Sequence, residues 1–183
     1  MIKQLFCTAV LLAGSSLATL AAPLLSVTPS VNNVLTGNSF TLNINIASVV
    51  DLYGWQLDID FGPVGLLTGN SISEGSFLGL GTSWTPGTIN NGTATIIASA
   101  NSLSGLTGVS GSGVLAQISF TAASVGTAII SISNIQLLDS NLDSIFPDPP
   151  VSATVNITSG IPEPATFVML GMGLAFMAVR RRA

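Results

Sequence analysis

The sequence predicts an all-β protein, an antiparallel β-sandwich of about nine strands, flanked by an N-terminal signal helix and a C-terminal transmembrane helix. Short runs that alternate apolar and polar residues with period two recur along the chain, as expected of strands with one buried face. Gly, Asn, Ser and Pro separate these runs, and helical periodicity is absent until the tail. Because many short strands joined by regular turns are typical of a sandwich, we expect one such domain over residues 22–160.

The N-terminus has the features of a secretory signal peptide. Lys3 gives a short basic start, the segment 5–20 is predominantly apolar, and small residues precede Ala21. We therefore predict a signal peptide over residues 1–21, cleaved after Ala21. The single cysteine, Cys7, lies inside it, so the exported part has no disulfide and no thiol chemistry.

The first half of the domain contains three clear strand patterns. Leu24–Val27 predicts an edge strand, and Phe40–Ile46 alternates with period two. The run Tyr53–Phe61 places Trp55 among the apolar residues of one face, so this strand should line the core. Residues 62–92 are rich in turn formers and are predicted to be largely loop, with Gly81–Gly87 exposed.

The second half predicts four more strands. They are Thr93–Ala100, Val114–Phe120, Thr127–Leu138 and Val151–Ile157, with a Ser/Gly-rich loop between the first two.

All four basic residues of the chain lie in its two ends, so residues 22–160 contain no Lys or Arg. Their acidic residues have no basic counterpart, which excludes internal salt bridges between side chains. A domain of this charge cannot neutralise phosphates, so nucleic acid and anionic lipid surfaces are poor partners, and divalent cations or neutral glycans are better candidates. The acids are Asp51, Asp58, Asp60, Glu74, Asp139, Asp143 and Asp148.

The tail combines three features in order: the tripeptide Pro162, Glu163 and Pro164, an apolar run over 165–179, and the cluster Arg180, Arg181 and Arg182. The run is shorter than the roughly 20 residues of a comfortable transmembrane helix but can insert if the bilayer thins locally. The arginines would hold the C-terminus in the cytoplasm.

Residues 161–183 resemble the PEP-CTERM sorting signal. The resemblance implies that the membrane protease exosortase is a partner and that the tail is a transient inner-membrane anchor of an exported protein. A permanent single-span anchor is the alternative.

The strands of the domain carry a recognisable set of positions: Val34, Gly37, Phe40, Asp51–Leu57, Gly113–Phe120, Gly126 and Leu137–Asp139. At these positions the domain resembles the cohesin family. The resemblance implies a nine-stranded jelly roll related to carbohydrate-binding modules, and a dockerin-bearing, polysaccharide-degrading enzyme as partner. This chain has one copy of the domain, not a scaffoldin array, and it carries a sorting tail of a different secretion context, so the fold transfers better than the partner.

Enzymatic chemistry is not expected. The chain has no histidine, and the exported part also lacks Cys, Lys and Arg, which excludes the usual triads, Schiff bases and zinc sites. Asp58 and Asp60 would stand roughly 7 Å apart on one strand face, a separation that glycosidases use. Two solvated residues on an outward face are the favoured interpretation.

Two further sites are predicted. Asp139, Asn141 and Asp143 carry oxygen ligands at alternate positions, as calcium loops do, but the turn glycine and the distant glutamate are missing, and a β-turn is the alternative. Trp84, in the predicted loop, could stack on a sugar ring or plug the end of the sandwich.

The leading hypothesis is a non-enzymatic binding module of the cell surface or extracellular matrix, without a cofactor unless calcium binds. Its predicted ligand is a polysaccharide or a polysaccharide-associated protein. Docking of a dockerin-bearing enzyme is one alternative. A structural protein of the exopolysaccharide matrix, without a specific ligand, is another.

Overall fold

The structure is a computed structural model, and it describes residues 21–79, 82–105 and 107–160. The predicted leader up to residue 20 and the predicted sorting tail, with its apolar run and arginines, lie outside these residues. Ala21 is exposed and precedes the first strand by two residues. These ranges contain no helix that is long and apolar enough to cross a bilayer.

The described residues form thirteen strands, five of which are only two to four residues long. The strands are β1 Leu24–Pro29, β2 Asn33–Leu35, β3 Ser39–Leu52, β4 Gly54–Asp60, β5 Leu67–Glu74, β6 Thr82–Thr85, β7 Thr88–Asn90, β8 Thr95–Leu103, β9 Val109–Ala122, β10 Gly126–Leu138, β11 Ser144–Ile145, β12 Asp148–Val151 and β13 Ala153–Thr158.

Five strands make the smaller sheet, in the order β12-β1-β3-β9-β5. Its centre is the antiparallel pair of β3 and β9, the two longest strands, in which Phe40 lies opposite Phe120. Burial alternates along both strands because every second side chain points into the core.

Eight strands make the larger sheet, in the order β2-β13-β10-β4-β8-β6, with β11 added beside β10 and β7 beside β8. The strand β4 lies between β10 and β8 and is buried at every second position. Its inward residues therefore face the smaller sheet, and its outward residues lie near the middle of an exposed face.

The core lies between the two sheets. The ring of Phe120 is 5.8 Å from that of Phe40 and 5.1 Å from that of Phe61, measured between centroids. Trp55 is 3% exposed, which confirms its predicted place in the core. The predicted β-sandwich is thus confirmed.

The structure corrects two details of that prediction. Residues 62–92 were expected to be largely loop, but they contain β5, β6 and β7. These strands lie at the sheet edges and contain Gly, Asn, Ser and Thr, so alternation is weak and pairing comes from their neighbours. The sandwich is also not wholly antiparallel, because β1 with β12 and β2 with β13 pair in parallel.

Candidate functional site

The outer face of the larger sheet is centred on β4. Trp55, Leu57 and Ile59 are at most 3% exposed, so the residues between them point outward. These residues are Gln56, Asp58 and Asp60, all half-buried. The prediction that both aspartates lie on one outward face is confirmed by this alternation.

The register of β4 with its two neighbours arranges the outer face in rows. Gln56 lies between Ala100 of β8 and Gln136 of β10. Gly54, in the next row, lies between Ser102 and Leu138. Residues from distant parts of the chain therefore form a continuous surface.

Asp58 lies between two irregular positions of the neighbouring strands. Ala98 in β8 and Asn134 in β10 both have positive φ, of 56° and 48°, where the ladders with β4 shift register. The backbone N–H of Ala98 donates to Asp58 Oδ1 at 2.7 Å, and the Asn134 amide donates to Oδ2 at 2.6 Å. The carboxylate thus satisfies groups that the irregular ladders leave free.

Asp60 makes a single side-chain bond of this kind, since Ser133 Oγ donates to its Oδ2 at 2.8 Å. A carboxylate offers about four acceptor positions, so both aspartates can accept further donors. The described chain, residues 21–79, 82–105 and 107–160, supplies no basic side chain to pair with either of them. Among the described residues, the two carboxylates are therefore not paired with a basic side chain.

A shallow groove of about 260 Å³ crosses the same face beside Gln56. Gly54 is one of its lining residues, and a Cβ added there would lie 3.3 Å from Ser102 Cβ, so a larger side chain would crowd that neighbour. Its lining residues are Gly54, Trp55, Gln56, Ser83, Thr85, Ala100, Asn101, Ser102, Gln136 and Leu138.

Trp84 lies in β6 rather than in an exposed loop, so that expectation of the sequence was wrong. It pairs with Asn101 of β8, is half-buried, and its ring centroid is 5.9 Å from that of Trp55. Beside it, the Glu74 carboxylate accepts hydrogen bonds from Asn101 Nδ2 at 2.8 Å and from Thr82 Oγ1. Sugar stacking on Trp84 stays a prediction, and one side of the ring is already occupied by the core.

The predicted calcium ligands lie in the turn after β10. Asp139 Oδ1 accepts from the backbone N–H of Asn141 at 2.8 Å and from that of Asp143 at 2.9 Å. This is the turn geometry that Asp favours by its side chain. Across the ranges that the structure describes, no three His, Cys, Asp or Glu residues are grouped as metal ligands. Calcium binding stays a prediction.

Asp51, at the end of β3, fastens the same turn to the smaller sheet. Its Oδ2 accepts from Ser140 Oγ at 2.6 Å, and its Oδ1 accepts from Gly108 N at 2.9 Å. These bonds, the one from the Ser140 hydroxyl above all, lower the pKa of Asp51 because they stabilise its ionised form.

The outer face of the smaller sheet is different, because its middle is uncharged and its side chains bond to one another. Asn45 donates to Thr28 Oγ1 at 3.0 Å, and Gln117 donates to Asn43 Oδ1 at 3.1 Å. Asn70 donates to Thr121 Oγ1 at 2.9 Å.

The sequence did not mark the residues that line the groove as a binding site, although Gln56 lies in the run Asp51–Leu57 that carries the cohesin resemblance. Gln56 and Gln136 are ordinary polar positions of alternating strands, and only the pairing of β4 with β10 brings them together. No local motif marks them.

Two family models match the chain. One, described as the cohesin domain, matches residues 25–157, and the other, described as the PEP-CTERM protein-sorting motif, matches residues 160–182. Both resemblances noted in the sequence are confirmed. No curated protein matches the chain.

Solved structures of similar fold are 12–17% identical in sequence to this chain. A non-cellulosomal cohesin from the archaeon Archaeoglobus fulgidus has a TM-score of 0.61 at 16% identity, over 76% of this chain and 93% of that one. A type II cohesin domain from the cellulosome of Acetivibrio cellulolyticus has a TM-score of 0.63 at 16% identity, over 74% and 95%. A type I cohesin–dockerin complex from Clostridium thermocellum matches with a TM-score of 0.60 at 12% identity, over 76% and 96%.

Proposed function

The chain belongs to the cohesin family and carries a PEP-CTERM sorting signal, and from that premise we propose that it is a docking module without catalytic activity. It is delivered to the cell surface or the surrounding matrix. There it receives a protein partner on the outer face of the larger sheet. The partner is a dockerin-like helical module attached to a polysaccharide-associated protein or enzyme.

The observation that carries this proposal is the coincidence of a groove with unneutralised carboxylates on one sheet face. Asp58 and Asp60 have acceptor positions left, and the groove beside Gln56 gives a protruding side chain a place to lie. Complementary charge steers a partner to such a face and fixes its register. The partner is therefore expected to present Lys or Arg next to small or aliphatic side chains.

The solved cohesin–dockerin complexes support a protein partner for a fold of this kind. The likeness to them lies in the fold, so the contacts proposed here are read from this chain alone. The sorting motif supports the route: after export, the tail would hold the domain transiently at the inner membrane until exosortase removes it.

Direct polysaccharide binding is the second candidate. It is favoured by the uncharged hydroxyl and amide groups on the smaller sheet, which suit a neutral glycan, and by Trp84 at the edge of the larger sheet. On this alternative the ligand retained from the culture is a sugar polymer and not a protein.

The test is capture of secreted proteins and polysaccharides from the producing organism's culture, with the immobilised full chain in mild detergent. Asp58→Lys reverses the charge on the larger sheet, and Gln117→Lys places the same lysine on the smaller one. We expect one enriched protein with a small helical module, lost with Asp58→Lys and kept with Gln117→Lys. Loss with Gln117→Lys alone, or retention of polysaccharide without a protein, contradicts the docking proposal.

A further inference from the structure

Phe146 is the most exposed large apolar side chain among the described residues, with 82% of its surface accessible. It follows the short strand β11 and precedes Pro147. Its neighbour Ile145 is half-buried and packs against the core, which anchors the segment from below. An aromatic ring held in water by an anchored segment leaves its apolar surface available to a partner.

The strand register places Phe146 on the candidate face. Leu138 pairs with Ser144 and Leu137 with Ile145, so continuing the antiparallel register sets Phe146 beside Gln136. Gln136 in turn lies beside Gln56. Phe146 therefore extends the row of outward side chains that contains the groove.

A second cavity lies beside Phe146. It has a volume of about 370 Å³ and is lined mainly by apolar residues. Gln136 and Leu138 of β10 line both this cavity and the groove beside Gln56, so the two hollows adjoin. Its lining residues are Ile135, Gln136, Leu137, Leu138, Ser144, Ile145, Phe146 and Pro147.

Acidic residues flank this segment on both sides. Asp143 precedes it, Asp148 follows it, and both are exposed. Asp58 and Asp60 lie on the same face of the larger sheet, whereas Asp148 begins β12 of the smaller sheet, and the described residues include no basic side chain to offset these charges. An apolar anchor inside a polar rim is the usual composition of a docking site.

We propose that Phe146 and its cavity are the apolar anchor of the docking surface, which receives an aliphatic side chain from a basic, amphipathic helix of the partner protein. The basic residues of that helix lie over Asp58 and Asp60 in one direction and over Asp143, in the turn before β11, in the other. This inference rests on the proposed function and adds to it the residue that determines affinity.

The test compares Phe146→Ser with Val125→Ser in the full chain. Val125 is 59% exposed in the turn between β9 and β10, away from the row, so it is a matched loss of exposed apolar surface. Because both side chains are exposed, neither change should prevent folding, and a thermal melt of each variant checks this. The captured partner is then made recombinantly and titrated against each form.

We expect Phe146→Ser to weaken binding about tenfold or more, as loss of a central aromatic anchor does, and Val125→Ser to change it less than about twofold. If Phe146→Ser binds the partner as tightly as the unchanged chain does, Phe146 is not the anchor; if Asp58→Lys still abolishes binding, the docking proposal stands without that anchor. Binding that survives both Phe146→Ser and Asp58→Lys overturns the anchor and the docking proposal together. Capture of a second copy of the chain, or retention of polysaccharide alone, does the same.

Discussion

The outer faces of the two sheets are both exposed to water and both lack basic residues, but their polar side chains find hydrogen-bond partners in different ways. On the smaller sheet the side chains of Asn45, Asn43 and Gln117 bond to one another or to a neighbouring threonine. On the larger sheet Asp58 bonds to a backbone N–H and to an amide, and it keeps its charge. A face whose polar groups are uncharged and paired among themselves offers little to a charged protein partner, whereas a face with spare acceptors and a hollow offers both charge and shape.

This difference follows from the pairing around each residue. Between Ser39 and Ile44, β3 pairs with β9 residue for residue, so the uncharged side chains of Asn43 and Gln117 lie opposite each other and bond. The ladders on both sides of β4 shift register near Asp58, where its carboxylate accepts from the Ala98 backbone N–H and from the Asn134 side chain. Irregular pairing therefore keeps an acid near the middle of the larger sheet.

The effects of substitutions on the two faces can be compared only if both sheets unfold in a single transition. Replacing Phe120, which is fully buried against Phe40 and Phe61, by Ala should lower the free energy of unfolding by about 3–5 kcal/mol. Gln117→Ala, on the outer side of the same strand, is the control and should cost less than about 1 kcal/mol. Urea unfolding followed by tryptophan fluorescence and by circular dichroism measures both. Transitions that differ between the two probes would contradict a single cooperative unit.

A polar side chain on the larger sheet should contribute more to the free energy of unfolding than one on the smaller sheet. Asp58→Ala removes the acceptor of the Ala98 N–H and of the Asn134 amide, and we expect a loss of about 1–2 kcal/mol. Asn45→Ala on the smaller face breaks an exposed bond between neutral groups and should cost only about 0.5 kcal/mol. If urea unfolding gives the same loss of stability for Asp58→Ala and Asn45→Ala, the two faces do not differ in this respect.

Asp51 connects the two sheets and should make their association sensitive to acid. Its pKa is lowered in the folded state, so the unfolded state binds the proton more readily at low pH. The stabilisation is complete above the unfolded pKa of about 4 and is lost as the pH falls through the lower folded value. Melting temperatures of the unchanged chain and of Asp51→Asn between pH 7 and pH 2 should converge toward acid. If the two melting temperatures differ by the same amount over that whole range, the ionised Asp51 carboxylate does not hold the two sheets together.

Adding salt should change the stability of the domain less than any of the substitutions above. Because residues 22–160 contain acids and no basic residue, raising sodium chloride to 0.15 M should raise the melting temperature by about 1–3 °C through screening. Asp60→Asn should reduce this gain by removing one charge beside Asp58. Asn43→Asp should enlarge it by placing a charge on the smaller face. A melting temperature that falls on adding salt would show that repulsion is not the governing term.

The strands with strong alternation were predictable from the sequence. Tyr53–Phe61 became β4, Phe40–Ile46 lies within β3, and Val114–Phe120 lies within β9. Weak alternation hid β5 and β6, because edge strands bury few side chains and owe their pairing to a neighbour. Trp84 was misplaced in a loop for this reason.

The candidate site could be predicted only in part. Local alternation was enough to put Asp58 and Asp60 on one face. It could not show that Asn134, 76 positions away in the chain, donates to Asp58, or that Phe146 continues the row of Gln56. Such contacts depend on the order of strands and on the places where the ladders shift, and neither is encoded in a local pattern.

The sequence by itself determined that the chain is a β-sandwich of the cohesin family, that it carries a sorting tail, and that its domain is acidic without basic residues. Those properties are local or additive, since periodicity, motifs and charge can be read along one stretch at a time. Only the tertiary structure decided which face keeps its charge, where the groove lies and which apolar ring stands beside it. Those properties arise from pairing between distant strands, where a shift of one residue would turn every side chain to the opposite face.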